Sequence, residues 1–78
     1  MIIKNTLHFI SREEQLNEYY KNILLIDNDL LIEDDIETKR TKYINDSINI
    51  LEEYPELCLS KCGQSFLTTI IYPIINMR

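Results

Sequence analysis

Between Ile36 and Tyr54 the apolar residues fall on one stripe. Ile36, Tyr43, Ile44, Ile48, Leu51 and Tyr54 recur at the three- and four-residue spacing of an α-helix. This feature limits the fold most sharply, because an amphipathic helix must bury its stripe against another element. Asp34 or Asp35 stands where an N-cap belongs and puts negative charge at the positive end of the helix dipole. The predicted helix covers residues 34–54. Pro55 closes it, or opens a short third helix at its first position. Gly63, the only glycine, is placed to end that third helix.

Another helix is predicted over residues 11–25. Ser11-Arg12-Glu13-Glu14 reads as a capping box, in which the Ser11 hydroxyl accepts from the Glu14 amide and the Glu14 side chain reaches back. Leu16, Tyr20, Ile23 and Leu24 continue its stripe. The pattern changes on either side. Met1–Ile10 is rich in Ile, Leu and Phe and reads as a strand. Phe66–Tyr72 is β-branched and aromatic and reads as another, with Pro73 placing it at a sheet edge or ending it. Ile23–Ile32 fits either a helix end and a loop or a hairpin turning at Asp27–Asp29. The expected class is α+β, two amphipathic helices packed on a small antiparallel sheet. With the hairpin, the order is β-α-β-β-α-β, a ferredoxin-like split unit. A small all-α bundle is the alternative, because short apolar runs cannot be assigned by period alone.

Size and charge bound the function. Seventy-eight residues make one domain, 1–78, with no repeat or linker. A chain this short buries roughly 60–70% of the surface its unfolded form exposes, which leaves little room for a walled-off substrate cleft. The net charge of −5 repels nucleic-acid phosphates and anionic membranes and suits a basic protein surface. The chain opens without the long apolar core or cleavage site of a signal peptide. No apolar run reaches the length of a membrane span, so a cytoplasmic location is expected.

The acids cluster. Asp27, Asp29, Glu33, Asp34, Asp35 and Glu37 occupy one stretch that holds no base. Asp27-x-Asp29 matches the start of a calcium loop, but Leu31, Ile32 and Thr38 stand where a ligand, the obligatory glycine and the bidentate Glu belong. The stretch instead suits docking on Lys- and Arg-rich surfaces, with solvated helix-cap charges as the plainer reading. Lys39, Arg40 and Lys42 form the only basic cluster. They could contact phosphate or RNA, but the Asp35–Lys39 and Glu37–Arg40 spacings favour pairing within the helix.

Nothing assembles a catalytic centre. Cys58 and Cys62 lack the C-x-x-C spacing of a redox pair and the partners of a structural zinc, and are expected as packed thiols. His8, the only histidine, has no nucleophile context. One glycine excludes phosphate and dinucleotide loops. Glu13/Glu14 and Glu52/Glu53 diverge on a helix. The expectation is a non-enzyme with no cofactor and no metal. Among the five tyrosines, Tyr19 falls one position off its stripe and is expected to be exposed for a partner.

Ile occurs 14 times while Ala, Val and Trp are absent, a bias expected of AT-rich coding. In size, acidity and composition the whole chain resembles the small antagonists used by phages and mobile elements, including anti-CRISPR proteins. No motif carries that resemblance, so no functional residue follows from it. It implies an inhibitor of a nucleic-acid-handling effector, such as a CRISPR nuclease or its guide-RNA complex, whose basic groove the acidic face would block without direct DNA or membrane binding. A toxin-immunity or antitoxin protein is one alternative. A structural subunit, monomeric or dimerising through Ile70–Ile75 at an edge strand, is the other.

Overall fold

The structure, a computed structural model, describes residues 3–76, with side chains from residue 7 onward. It is all-helical: 86% of the described residues are helical and none forms a strand. Helix α1 spans Ile3–Asp27 and α2 spans Ile36–Glu53. A 3-10 turn, Pro55–Leu59, leads into α3, Lys61–Phe66. The rod continues through a π-helical stretch, Leu67–Ile71, into α4, Tyr72–Asn76.

Side-chain contacts fix the topology. Arg12 meets Glu53 at one end of the α1–α2 pair and Arg40 meets Asp27 at the other, so these helices run antiparallel. The Cys62 thiol lies 4.0 Å from the Glu13 carbonyl, and the Tyr20 hydroxyl donates to Thr69 Oγ1 at 3.4 Å. Both contacts span the same sequence separation, so the C-terminal rod runs parallel to α1. Leu16 and Ile23 from α1, Ile50 and Leu51 from α2, Leu57 from the turn, and Phe66 and Ile70 from the rod make the core. Each fully buried side chain of this kind contributes about 1.5–3 kcal/mol of burial energy.

The α+β expectation is overturned, and the helical alternative stands. Ile3–Ile10, read as part of a strand, forms the opening turns of α1; Met1 and Ile2 lie outside the described residues. Phe9 packs on the core seven residues before Leu16, which is itself seven before Ile23, so the helical period extends upstream of Ser11. Ser11 is therefore an exposed position inside a helix, and the capping box caps nothing. Phe66–Tyr72 is helical as well. Its inward residues follow Gly63, Phe66, Ile70, a helical spacing, and a helix satisfies its own backbone without a partner strand. Ile70 is thus a core residue, unavailable to a dimer across a strand edge. Pro73 sits inside the rod. Its ring crowds the carbonyl four residues back and it offers no amide, which accounts for the widened turn immediately before it.

Ile23–Ile32 is a helix end and a loop, with no hairpin. Leu30 N–H donates to the Leu25 carbonyl at 2.8 Å and Asp29 N–H to the Ile26 carbonyl at 3.1 Å. With Asp29 left-handed at φ 60°, this is a Schellman stop, carrying Asp where Gly is usual. Asp35 holds the N-cap position of α2, also at φ 60°, but its side chain makes no capping bond. Gly63 does not end a helix. It lies inside α3, where an added Cβ would fall 1.7 Å from the Leu57 carbonyl oxygen. Ser60 separates turn from helix, accepting from the Gly63 amide at 3.1 Å and donating to the Leu57 carbonyl at 2.7 Å. Among the described residues, no helix is long and apolar enough to cross a membrane.

Candidate partner-binding surface

The Schellman stop and the left-handed Asp35 bend the chain from α1 into α2, and the acids gather on this bend. They do not all remain available. Arg40 grips Asp27 like a fork, Nε to Oδ1 at 2.6 Å and the guanidinium Nη2 to Oδ2 at 3.1 Å. Lys39 Nζ donates to Glu33 Oε1, and Lys42 Nζ to Asp46 Oδ2 at 3.1 Å. The three cations expected to pair with Asp35 and Glu37, or to meet phosphate, thus each hold a different carboxylate. Those hydrogen bonds, to Glu33, Asp27 and Asp46 respectively, raise the Lys39, Arg40 and Lys42 pKa values. Asp35 and Glu37 add weaker attraction to Lys39 and Arg40.

Asp29, Asp34, Asp35 and Glu37 are exposed and have no ion-pair partner among the described residues. Between them stand Leu30, 73% exposed, and Ile32, 80% exposed. The sequence reading missed these two as surface residues because Leu30-Leu31-Ile32 resembles a hairpin strand. Nothing local marks them as outward; only the position of the helix stop does.

Tyr19 is not the exposed anchor expected. It is half-buried, stacked on Tyr43 with ring centroids 5.6 Å apart, and its hydroxyl accepts from Gln15 Nε2 at 3.0 Å. Gln15 in turn accepts from Arg12 at 2.7 Å, so Tyr19 belongs to the α1–α2 seam. Tyr72 is the tyrosine left most open, at 48%.

A second polar cluster joins the two long helices. Glu53 receives Arg12 at 3.0 Å and lies 3.3 Å from His8 Nε2, tying the start of α1 to the end of α2. Cys58 and Cys62 are free and half-buried. Burial pushes the Cys62 thiol pKa up, against a smaller opposing effect of the Ser60 hydroxyl, so it remains a protonated, weakly nucleophilic thiol at neutral pH. Among the described residues no three His, Cys, Asp or Glu side chains converge as metal ligands. Comparison with protein-family models, with curated proteins and with solved structures returned no match.

Proposed function

We propose that the protein is a non-enzymatic inhibitor that docks the α1–α2 turn on a basic protein surface, the guide- or target-binding groove of a nucleic-acid-handling effector such as a CRISPR nuclease. One observation carries the reading: four exposed carboxylates without an ion-pair partner among the described residues lie within a few positions of two exposed apolar side chains at the α1–α2 turn. The acids would steer the encounter and offer their oxygens to Lys and Arg in place of phosphates. Leu30 and Ile32 would supply the apolar contact that charge alone lacks, since rim charges change association rate more than affinity. The internal pairs Arg40–Asp27 and Lys39–Glu33 hold the flanks of the turn, so docking need not order a loose loop. The free thiols suit a reducing, cytoplasmic setting.

The test is affinity capture from an AT-rich bacterial host carrying defence systems, with and without nuclease treatment. Tagged wild type is compared with a variant combining Asp29→Asn, Asp34→Lys, Asp35→Asn and Glu37→Lys. Asn is chosen at the two left-handed positions because it tolerates that backbone. Wild type should retain a basic nuclease that the variant loses. Undiminished capture by the variant would sink the proposal, and recovery of a toxin would assign the protein to immunity instead.

A further inference from the structure

Ser11-Arg12-Glu13-Glu14 satisfies the sequence rule for a helix start, yet α1 runs straight through it. The two candidate starts of this helix differ in quality. No acidic residue stands in the first turn after Ile3 to meet the helix dipole. A start at Ser11 would place Glu13 and Glu14 in that turn and add a side-chain cap. Ser11 and Glu14 are both exposed, so no neighbouring element keeps them from forming the box. His8, Phe9 and Ile10 also have weaker helix propensity than the Arg, Glu and Gln that follow Ser11.

Anchorage changes at the same residue. Upstream, Leu7 is 66% exposed and Ile10 44%, and no described side chain is buried. Phe9 meets the Tyr54 ring edge-on with centroids 5.2 Å apart. His8 leans on the same ring and lies 3.3 Å from Glu53. These contacts converge on two residues at the end of α2. Downstream, Arg12 bonds Glu53 and Gln15, the Glu13 carbonyl meets the Cys62 thiol, and Leu16 and Ile23 are fully buried. Unwinding the turns before Ser11 therefore leaves the core residues of α1 in place.

We propose that α1 has two starts, and that the turns upstream of Ser11 form a strap that opens as a unit. In the closed state the helix begins at Ile3 and Phe9 lies on Tyr54. In the open state it begins at Ser11. The Ser11 hydroxyl then accepts from the Glu14 amide, and the Glu14 carboxylate accepts from the Ser11 amide. Backbone amides from Leu7 to Glu13 lose their helical carbonyl partners, and the box satisfies donors that the new helix end would otherwise orphan. A plain fraying end has no such stopping point. Opening uncovers Tyr54 and releases Glu53 from His8. It also draws Ile10 out of a surface groove of about 540 Å³ that it lines with Tyr20, Lys61 and Cys62. The strap lies at the end of the α1–α2 pair away from the acidic turn, so docking at the turn does not depend on it.

Amide hydrogen exchange of the full chain, read residue by residue by NMR, measures the opening directly. Protection should be low and nearly uniform from Leu7 to Glu13, then step up at least about tenfold by Leu16. Ser11→Ala removes the cap of the open state and suits the interior of the closed helix. It should raise protection of Leu7–Glu13 at least about fivefold, against about twofold for the gain in helix propensity alone. Phe9→Ala removes the closed-state contact and should lower protection of the same block at least about fivefold, with Leu16–Asp27 unchanged. A smooth rise along α1 with no step after Ser11 would overturn the proposal. So would a change of twofold or less in Ser11→Ala, roughly what propensity alone supplies. A Phe9→Ala loss shared equally by Leu16–Asp27 would do the same, because the segment would then open only with the whole fold.

Discussion

The α1–α2 turn and the C-terminal rod both present Leu, Ile or Tyr side chains to water, but the first sets them among carboxylates and the second among threonines. At the turn, Leu30 and Ile32 are more exposed than any large apolar residue of the rod, yet the acids beside them in sequence set the sign of the partner. Along the rod after Lys61 no charge intervenes before Arg78, and apolar area dominates. The two regions also differ in anchorage. The rod is pinned by Phe66 and Ile70, whereas the turn rests on its backbone stop and on ion pairs at its flanks. Exposed hydrophobic residues are therefore not interchangeable evidence of one interface. Their charged neighbours and their footing in the core separate them.

The largest effect expected falls on the anchorage. Gly63→Ala drives a methyl into the Leu57 carbonyl, and overpacking of this severity costs about 3 kcal/mol. In a domain with only a few kcal/mol in reserve, the urea transition should collapse or vanish. Ile32→Ser at the turn should move the midpoint by no more than about 0.5 kcal/mol. Equal effects from the two substitutions would erase the distinction.

A smaller effect probes the turn. In a double-mutant cycle, Asp27→Ala and Arg40→Ala should couple by about 0.5–1 kcal/mol, the range for a well-formed, partly exposed pair. Zero coupling would mean the fork does not brace the turn.

The smallest effect is alkaline. The Lys39 and Lys42 pKa values are raised by their carboxylate partners, and those of Cys62 and Tyr54 by burial. In each case the folded chain holds its proton more tightly than the unfolded chain, so deprotonation favours unfolding. This stability is fully present below the ordinary thiol pKa of 9.0 and is lost as pH rises above it. Urea midpoints should stay flat through neutral pH and fall above about pH 9, with a shallower fall in Cys62→Ala. A midpoint that rises with alkalinity would contradict the burial of the thiol.

Much of the α1–α2 pair was legible in the sequence. Predicted bounds of 34–54 and 11–25 became Ile36–Glu53 and Ile3–Asp27. The strands misread at both ends share one cause. With Ile used 14 times, β-branched content reflects coding bias and loses its value as a strand signal. The helical spacings Phe9–Leu16–Ile23 and Gly63–Phe66–Ile70 were present but outweighed by it. The acidic cluster could be read as composition, but its division into paired and unpaired acids could not. Asp27 meets Arg40 across thirteen residues, a contact that exists only once α1 and α2 are antiparallel. Asp29 at a helix stop was equally hidden, because the left-handed position is usually filled by Gly.

The most direct comparison of the two surfaces is an amide NMR titration of the labelled chain with a short lysine-rich peptide, at low and at high salt. Shifts confined to residues 27–37, present at low salt and lost at high salt, with the rod undisturbed, would assign attraction for basic partners to the turn. Shifts centred on residues 67–76, or shifts at the turn that survive high salt, would contradict that assignment.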